Sequence, residues 1–213
     1  MNQYLKDFLI EFPLQPGSVQ APKPRLEEYT ARVPRALTDF WHEVGWTGFA
    51  DGLLWSTDPE EVRPAIELWL EDSDLLDANS YTMIARSAFG KIFLWGKKTG
   101  ANVIIDPIYG TITVFEPHFN ENKEDLELIA FFGSKVKKNF DFKDWKEKPL
   151  FKKALKKLGP LSSTEMYAFE PALSIGGIPK IENLVKVEMI EHLILLAQLA
   201  EIEVVRMDVG RHL

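Results

Sequence analysis

The chain has 213 residues, 46% of them hydrophobic and 12% aromatic. That is enough to bury a sizeable core in one large domain or two small ones, and too apolar for a disordered chain. It has no cysteine, which excludes disulfides, thiolate metal sites and a cysteine nucleophile and fits a reducing compartment. The net charge of −7 is unevenly spread: residues 1–134 carry 21 acidic and 11 basic side chains, residues 135–213 carry 11 and 14. This balance disfavours nucleic-acid binding by the first part and suits a basic partner.

Tyr4, Leu5, Phe8, Leu9 and Phe12 recur at helical spacing, so residues 2–12 are expected to form a helix. Pro13, Pro16, Pro22 and Pro24 then predict an extended loop. Residues 34–44 read as a second helix, with Pro34 near its first turn and Gly45 at its end. The glycine- and aromatic-rich stretch 48–55 suits a short strand. Asp58, Pro59 and Glu61 have the spacing of a helix start, and Pro64 predicts an offset between that turn and residues 65–71. Strand-like runs at 80–89, 91–95, 101–105 and 111–115, punctuated by Gly90, Thr99-Gly100 and Pro107 to Gly110, read as a β-meander.

Helical periodicity returns at 123–132 and 149–158. In the latter, Lys152, Lys153, Lys156 and Lys157 share one face. Residues 165–169 suit a short strand. Residues 184–200 read as the strongest helix, with Glu188, Glu191, His192 and Gln198 in one arc of about 120° and the rest, Lys186 apart, buried. Its charges rule it out as a bilayer span. With no basic-then-apolar leader at the N-terminus, a soluble cytoplasmic protein is expected. The fold class is α+β, a central antiparallel meander over residues 80–116 flanked by N- and C-terminal helices.

The signatures of catalysis are missing. His42, His118, His192 and His212 include no i, i+4 pair, and there is no phosphate loop or nucleophile elbow. Ser174 to Gly177 has the composition of a backbone nest for an anion, but also of a simple glycine turn, which is preferred. No catalytic, metal or cofactor residue is assigned, and neither nuclease nor hydrolase activity is expected. Two charge clusters stand out. Residues 58–77 hold eight carboxylates against Arg63, and residues 135–157 hold ten lysines against three acids. Asp58, Glu60 and Glu61 suit a helix N-terminus, whereas Glu71, Asp72 and Asp74 fall at the end where the dipole disfavours them. Glu67, Glu71, Asp72, Asp74 and Asp77 are therefore the candidate partner-binding residues. Trp69, spaced with Val62 and Ile66, belongs to the core. The lysines read as a solvated face, or as a counterpart of the acidic cluster within the fold.

Two sets of residues carry a family resemblance. Pro34 to Trp41, Val44-Gly45-Trp46, Gly48 to Trp55 and Ala85 to Gly90 resemble the GAD-like domain. Tyr167 to Gly177, Glu182 to Val187 and Glu191 to Leu199 are similar to the C-terminal domain of immunity proteins for type VI secretion DNase toxins. The resemblance implies a GAD-like domain over 1–120 and a mainly helical immunity-protein domain over 121–213. It also implies a cytoplasmic protein that neutralises a cognate toxin, often a nuclease; a nuclease that grips DNA presents a basic surface, so the expected mechanism is tight binding that blocks the DNA groove or active site of a basic DNase. Phe40, Trp41, Gly52, Gly90, Gly176, Gly177 and His192 belong to the shared motifs and are expected to determine the fold. The GAD-like name is shared with a domain of tRNA-linked enzymes, which motivates an alternative: an RNA- or tRNA-associated accessory module using the lysines. No direct nucleic-acid contact, membrane or cofactor is expected, and the oligomeric state is left open.

Overall fold

The computed structural model describes residues 3–71, 73, 77–116 and 119–208. The first half contains α1 (Gln3–Glu11), α2 (Lys23–Tyr29), α3 (Arg35–Val44), β1 (Thr47–Phe49), β2 (Leu54–Ser56) and α4 (Pro59–Glu71). The meander follows as β3 (Tyr81–Ser87), β4 (Ile92–Gly96), β5 (Gly100–Asp106) and β6 (Thr111–Phe115). The second half adds α5 (Glu124–Gly133), α6 (Phe151–Leu158), β7 (Glu165–Phe169), β8 (Leu184–Glu188), α7 (Met189–Leu199) and β9 (Glu203–Met207). The fold is α+β, as the sequence pattern predicts.

The main sheet has seven strands in the order β1-β2-β3-β4-β5-β6-β9, while β7 and β8 form a separate two-stranded ladder. Every pair is antiparallel except β6 with β9, where Ile112 lies beside Val204 and Val114 beside Arg206 in parallel register. The sheet therefore extends beyond the expected 80–116 on both sides.

Alternation along β4 sends Phe93 and Trp95 to one face and Ile92 and Leu94 to the other, and all four are buried. The first face carries α1, α3 and α5 over an aromatic cluster. In it, the Phe8 ring lies 4.8 Å from Phe12, 5.6 Å from Phe49 and 5.3 Å from Phe132. On the second face Val62, Ile66 and Trp69 of α4 and Met189, Leu193 and Leu196 of α7 pack on Met83, Ile92, Leu94, Val103, Ile105 and Ile112. The indole Nε1 of Trp69 donates to the Leu193 carbonyl at 3.0 Å.

The structure corrects the sequence reading at several elements. The proline-rich loop contains α2, which Pro22 caps and Pro24 enters in its first turn, where a missing N–H costs nothing. Helix α4 runs unbroken through Pro64. Leu184 to Glu188, expected as helix, is strand β8: Val185 and Val187 pair with Ala168 and Met166 of β7. The remainder, α7, is not buried all round, since Leu195 and Leu199 are 47% and 44% exposed.

Both cores draw residues from each side of position 120: Phe8 packs on Phe132, and Trp69 bonds to Leu193. We propose that the two segments fold as one unit. A fragment of residues 1–120 would leave the second sheet face covered by α4 alone. It is expected to bind a hydrophobic dye and to unfold without a sharp transition in calorimetry. A cooperative melt of that fragment would instead establish an independent domain.

Candidate functional site

In the acidic segment the carboxylates nearest the start of α4 serve the fold. Asp58 is buried, accepts from the Tyr29 hydroxyl at 2.8 Å and from the Glu60 backbone N–H at 3.1 Å, and pairs with Arg25 at 3.2 Å. Burial first, and Asp58 second, push the Tyr29 phenol well above its usual range. Glu60 holds Arg63 at 2.9 Å. Burial raises the Glu61 carboxyl, the nearby Asp58 charge adds to this, and Arg86 opposes it.

The candidates further along lie differently. Glu67 and Glu71 sit on the stripe of α4 opposite Val62, Ala65, Ile66, Trp69 and Leu70, and both are exposed. Among the described residues neither has a hydrogen-bond or ion-pair partner. With Pro64, Leu68, Leu70, Asp77 and Ala78 they line an open groove of about 510 Å³. The structure thus brings together Glu67, Glu71 and Asp77; Asp72 and Asp74 fall outside the described residues. Asp77 has a local role that the sequence reading denied it. Its carboxylate caps the 3-10 turn Ala78–Ser80, accepting from the Asn79 N–H at 3.0 Å and the Ser80 hydroxyl at 3.2 Å.

The lysine face is exposed as its spacing predicts, but parts of it serve the fold. Lys153 pairs with Asp144 at 2.9 Å, and Lys157 donates to the carbonyls of Ile181, Glu182 and Leu184. The ammonium groups of Lys146 and Lys180 lie 4.6 and 5.1 Å from the ring of exposed Trp145. No ion pair among the described residues joins this face to the acidic segment. Ser174 to Gly177 forms a turn, with Gly176 in the left-handed region. His42 is exposed, His192 is half-buried, and His118 and His212 lie outside the described residues. Among the described residues no cluster of three or more His, Asp or Glu could hold a metal ion, and no helix is long and apolar enough to cross a membrane.

Sequence reasoning missed Arg86, a cation in a strand of otherwise apolar pattern. Its guanidinium is fully buried, stacks 5.0 Å from the Trp55 ring and donates to the Ser163 carbonyl at 2.6 Å, while Nε has no partner among the described residues. Burial pushes its pKa down to about 9. The bond to Ser163 ties β3 to the loop before β7.

Residues 3–109 match the GAD-like domain family. The chain belongs to that family. Beyond the GAD-like segment, residues 125–200 match the family described as T6SS immunity protein Tdi1, C-terminal. The crystal structure of Atu4351 from Agrobacterium tumefaciens superposes with a TM-score of 0.88 at 22% identity, covering 100% of this chain and 94% of that one. That likeness shows the fold. No curated protein matches the chain.

The GAD-like segment meets the second segment next to α7, whose His192 gives a measurable titration. Burial lowers its pKa, and Glu170 partly opposes the shift. A depressed folded-state value means that the unfolded chain binds more protons just below the ordinary midpoint of about 6.5. Stability is therefore expected to fall as pH drops from about 6.5 through the folded-state value. NMR titration of the His192 ring should give a midpoint below about 6.5, and His192→Gln should flatten the acid-side loss in denaturation curves.

Proposed function

We propose that the protein is a cytoplasmic type VI secretion immunity protein that neutralises a cognate toxin by binding it, without catalysis. The observation that carries this reading is the match of residues 125–200 to a type VI secretion immunity family, in one chain with the GAD-like segment. The toxin is a basic DNase, and its DNA groove or active site is blocked in the complex. A nuclease that grips DNA presents cations to the phosphate backbone. The net acidic first part of this chain would then speed its encounter with such a surface. Glu67, Glu71, Asp72, Asp74 and Asp77 are the steering residues of this reading. Glu67 and Glu71 fit the role because they are exposed on an open groove and serve no ion pair among the described residues.

The test pairs protection with kinetics. Co-expression of the chain is expected to rescue cells from the toxin encoded beside it. Purified wild type should bind that toxin with an association rate that falls steeply between low and high salt. Glu71→Lys/Asp72→Lys/Asp74→Lys should associate more slowly and respond less to salt. Failure of the wild type to bind or protect removes the immunity assignment. Unchanged association of the variant at both salt concentrations removes only the acidic cluster.

A further inference from the structure

An exposed tryptophan stands among the lysines of the second segment. Trp145 is 55% exposed, whereas Trp41, Trp55, Trp69 and Trp95 are buried and Trp46 is half-buried. The loop that carries it is held from both sides. Asp144 accepts the backbone N–H groups of Lys146 and Lys148, both at 2.9 Å, and the Trp145 N–H donates to the Pro179 carbonyl at 3.0 Å. The backbone is thus fixed while the indole faces solvent, with the ammonium groups of Lys146 and Lys180 at 4.6 and 5.1 Å from its ring. Tryptophan is highly buried on average. A solvated face accounts for the lysines here but leaves this indole unexplained.

Helix α6 runs beside this loop. Lys153 pairs with Asp144, the chain neighbour of Trp145, and Lys157 donates to the carbonyl of Ile181, the chain neighbour of Lys180. Lys152 and Lys156 precede these two on the same helix and are exposed. Residues 141–157 and 180–182 together hold eight lysines against four carboxylates, a local surplus that the net charge of −7 conceals. Three of those carboxylates are engaged. Asp141 accepts the N–H groups of Leu150 and Phe151 at the start of α6, Asp144 holds Lys153, and Glu147 holds Lys143. Among the described residues Lys146, Lys148, Lys152, Lys156 and Lys180 have no ion pair.

We infer that this surface binds single-stranded nucleic acid, with a base stacked on Trp145 and the phosphates near it on Lys146, Lys180 and the unpaired lysines of α6. The inference is independent of the immunity reading. Two features together select the occupant. Unpaired cations attract any polyanion, but an exposed flat ring among them matches one whose charges alternate with flat groups. Each base presents a π-face, and stacking it on an aromatic side chain is worth about 1–3 kcal/mol whatever the base. The ammonium groups beside the ring sit on flexible stems and can turn from the indole to a phosphate when a base takes its place. A duplex keeps its bases stacked on one another, so it would engage the lysines and leave the indole idle. An acidic protein segment brings carboxylates without a flat group beside each.

The experiment uses the full chain at low salt with fluorescein-labelled oligo-dT and oligo-rU of about 15 nucleotides, the upper end of common site sizes. Fluorescence anisotropy should show both binding, since base face and phosphate are common to them. The bound strand should also shield Trp145 from acrylamide quenching. Trp145→Ala is expected to weaken binding about tenfold at an unchanged melting temperature, while Trp145→Phe, which keeps a flat ring, retains most of it. Lys152→Ala/Lys156→Ala should reduce the slope of log affinity against log salt by about 1.4, roughly 0.7 for each lost phosphate contact. Absence of binding to either strand overturns the proposal, as does a Trp145→Ala variant that binds like the wild type. A duplex of the same length bound as tightly as the single strand would reduce the surface to charge alone and overturn the stacking role. Poly-glutamate bound as tightly as the oligonucleotides, with the same loss in Trp145→Ala, would assign the surface to an acidic protein and overturn the proposal.

Discussion

The constraint on which the architecture depends is a sheet apolar on both faces. Strand β4 shows it most plainly: Phe93 and Trp95 point one way, Ile92 and Leu94 the other, and none is more than 4% exposed. At roughly 25 cal/mol per Å² of apolar surface, leaving either face wet would remove a large part of the stabilisation. The first half of the chain supplies α1 and α3 to one face but only α4 to the other. Helix α7 completes that second layer, and β9 then extends the sheet along β6. The second segment thus fills space that the first leaves open.

The seam between the segments explains several shared motif residues. Gly90 has φ +78, and a Cβ there would lie 2.5 Å from Cε of Met166 in β7. Glycine therefore serves two purposes at once, the left-handed conformation and the close approach of the second segment. Four residues earlier, Arg86 crosses the same seam to Ser163. A fully buried cation is costly, as its lowered pKa reflects, and the carbonyl bond and Trp55 face offset part of that cost. Within the first segment, away from the seam, Trp41 is buried with its Nε1 donating to the Ser56 hydroxyl at 2.6 Å. These are residues of construction, which is why the motifs identify the fold yet point to no binding surface.

How much was legible follows the strength of the local signals. The hairpins of β3 to β6 carry turn residues at fixed spacing, and they emerge as predicted. Helix α2 was hidden because prolines act as breakers inside a helix but as starters in its first turn, and sequence alone does not say which. Strand β8 was hidden because the apolar residues of Leu184 to Glu188 satisfy period 2 and period 3.6 together; only pairing with β7 decides. Strand β9 is short, and its partner β6 lies some ninety residues earlier. At the candidate site the exposure of Glu67 and Glu71 was readable from their place opposite Trp69. The cap made by Asp77 was not, because it depends on the 3-10 turn Ala78–Ser80, of which the sequence reading assigned only Ser80, to a strand. The exposure of Leu195 and Leu199 was also misread, since a long apolar run looks buried all round until its neighbours are known.

The separation between motif and surface has a physical consequence. Helix α4 is held by Val62, Ala65, Ile66, Trp69 and Leu70 against the sheet, so its stability does not depend on the outer stripe. Carboxylates near its C-terminal end are disfavoured by the helix dipole by about 0.3–1 kcal/mol each. Burying a single large apolar side chain is worth about 1.5–3 kcal/mol, so the inner stripe outweighs that cost. Helix α7 is arranged likewise, with Met189, Leu193 and Leu196 inward and Glu191, Leu195 and Leu199 outward. Outward side chains on both helices can therefore change in charge and size while the core stays closed.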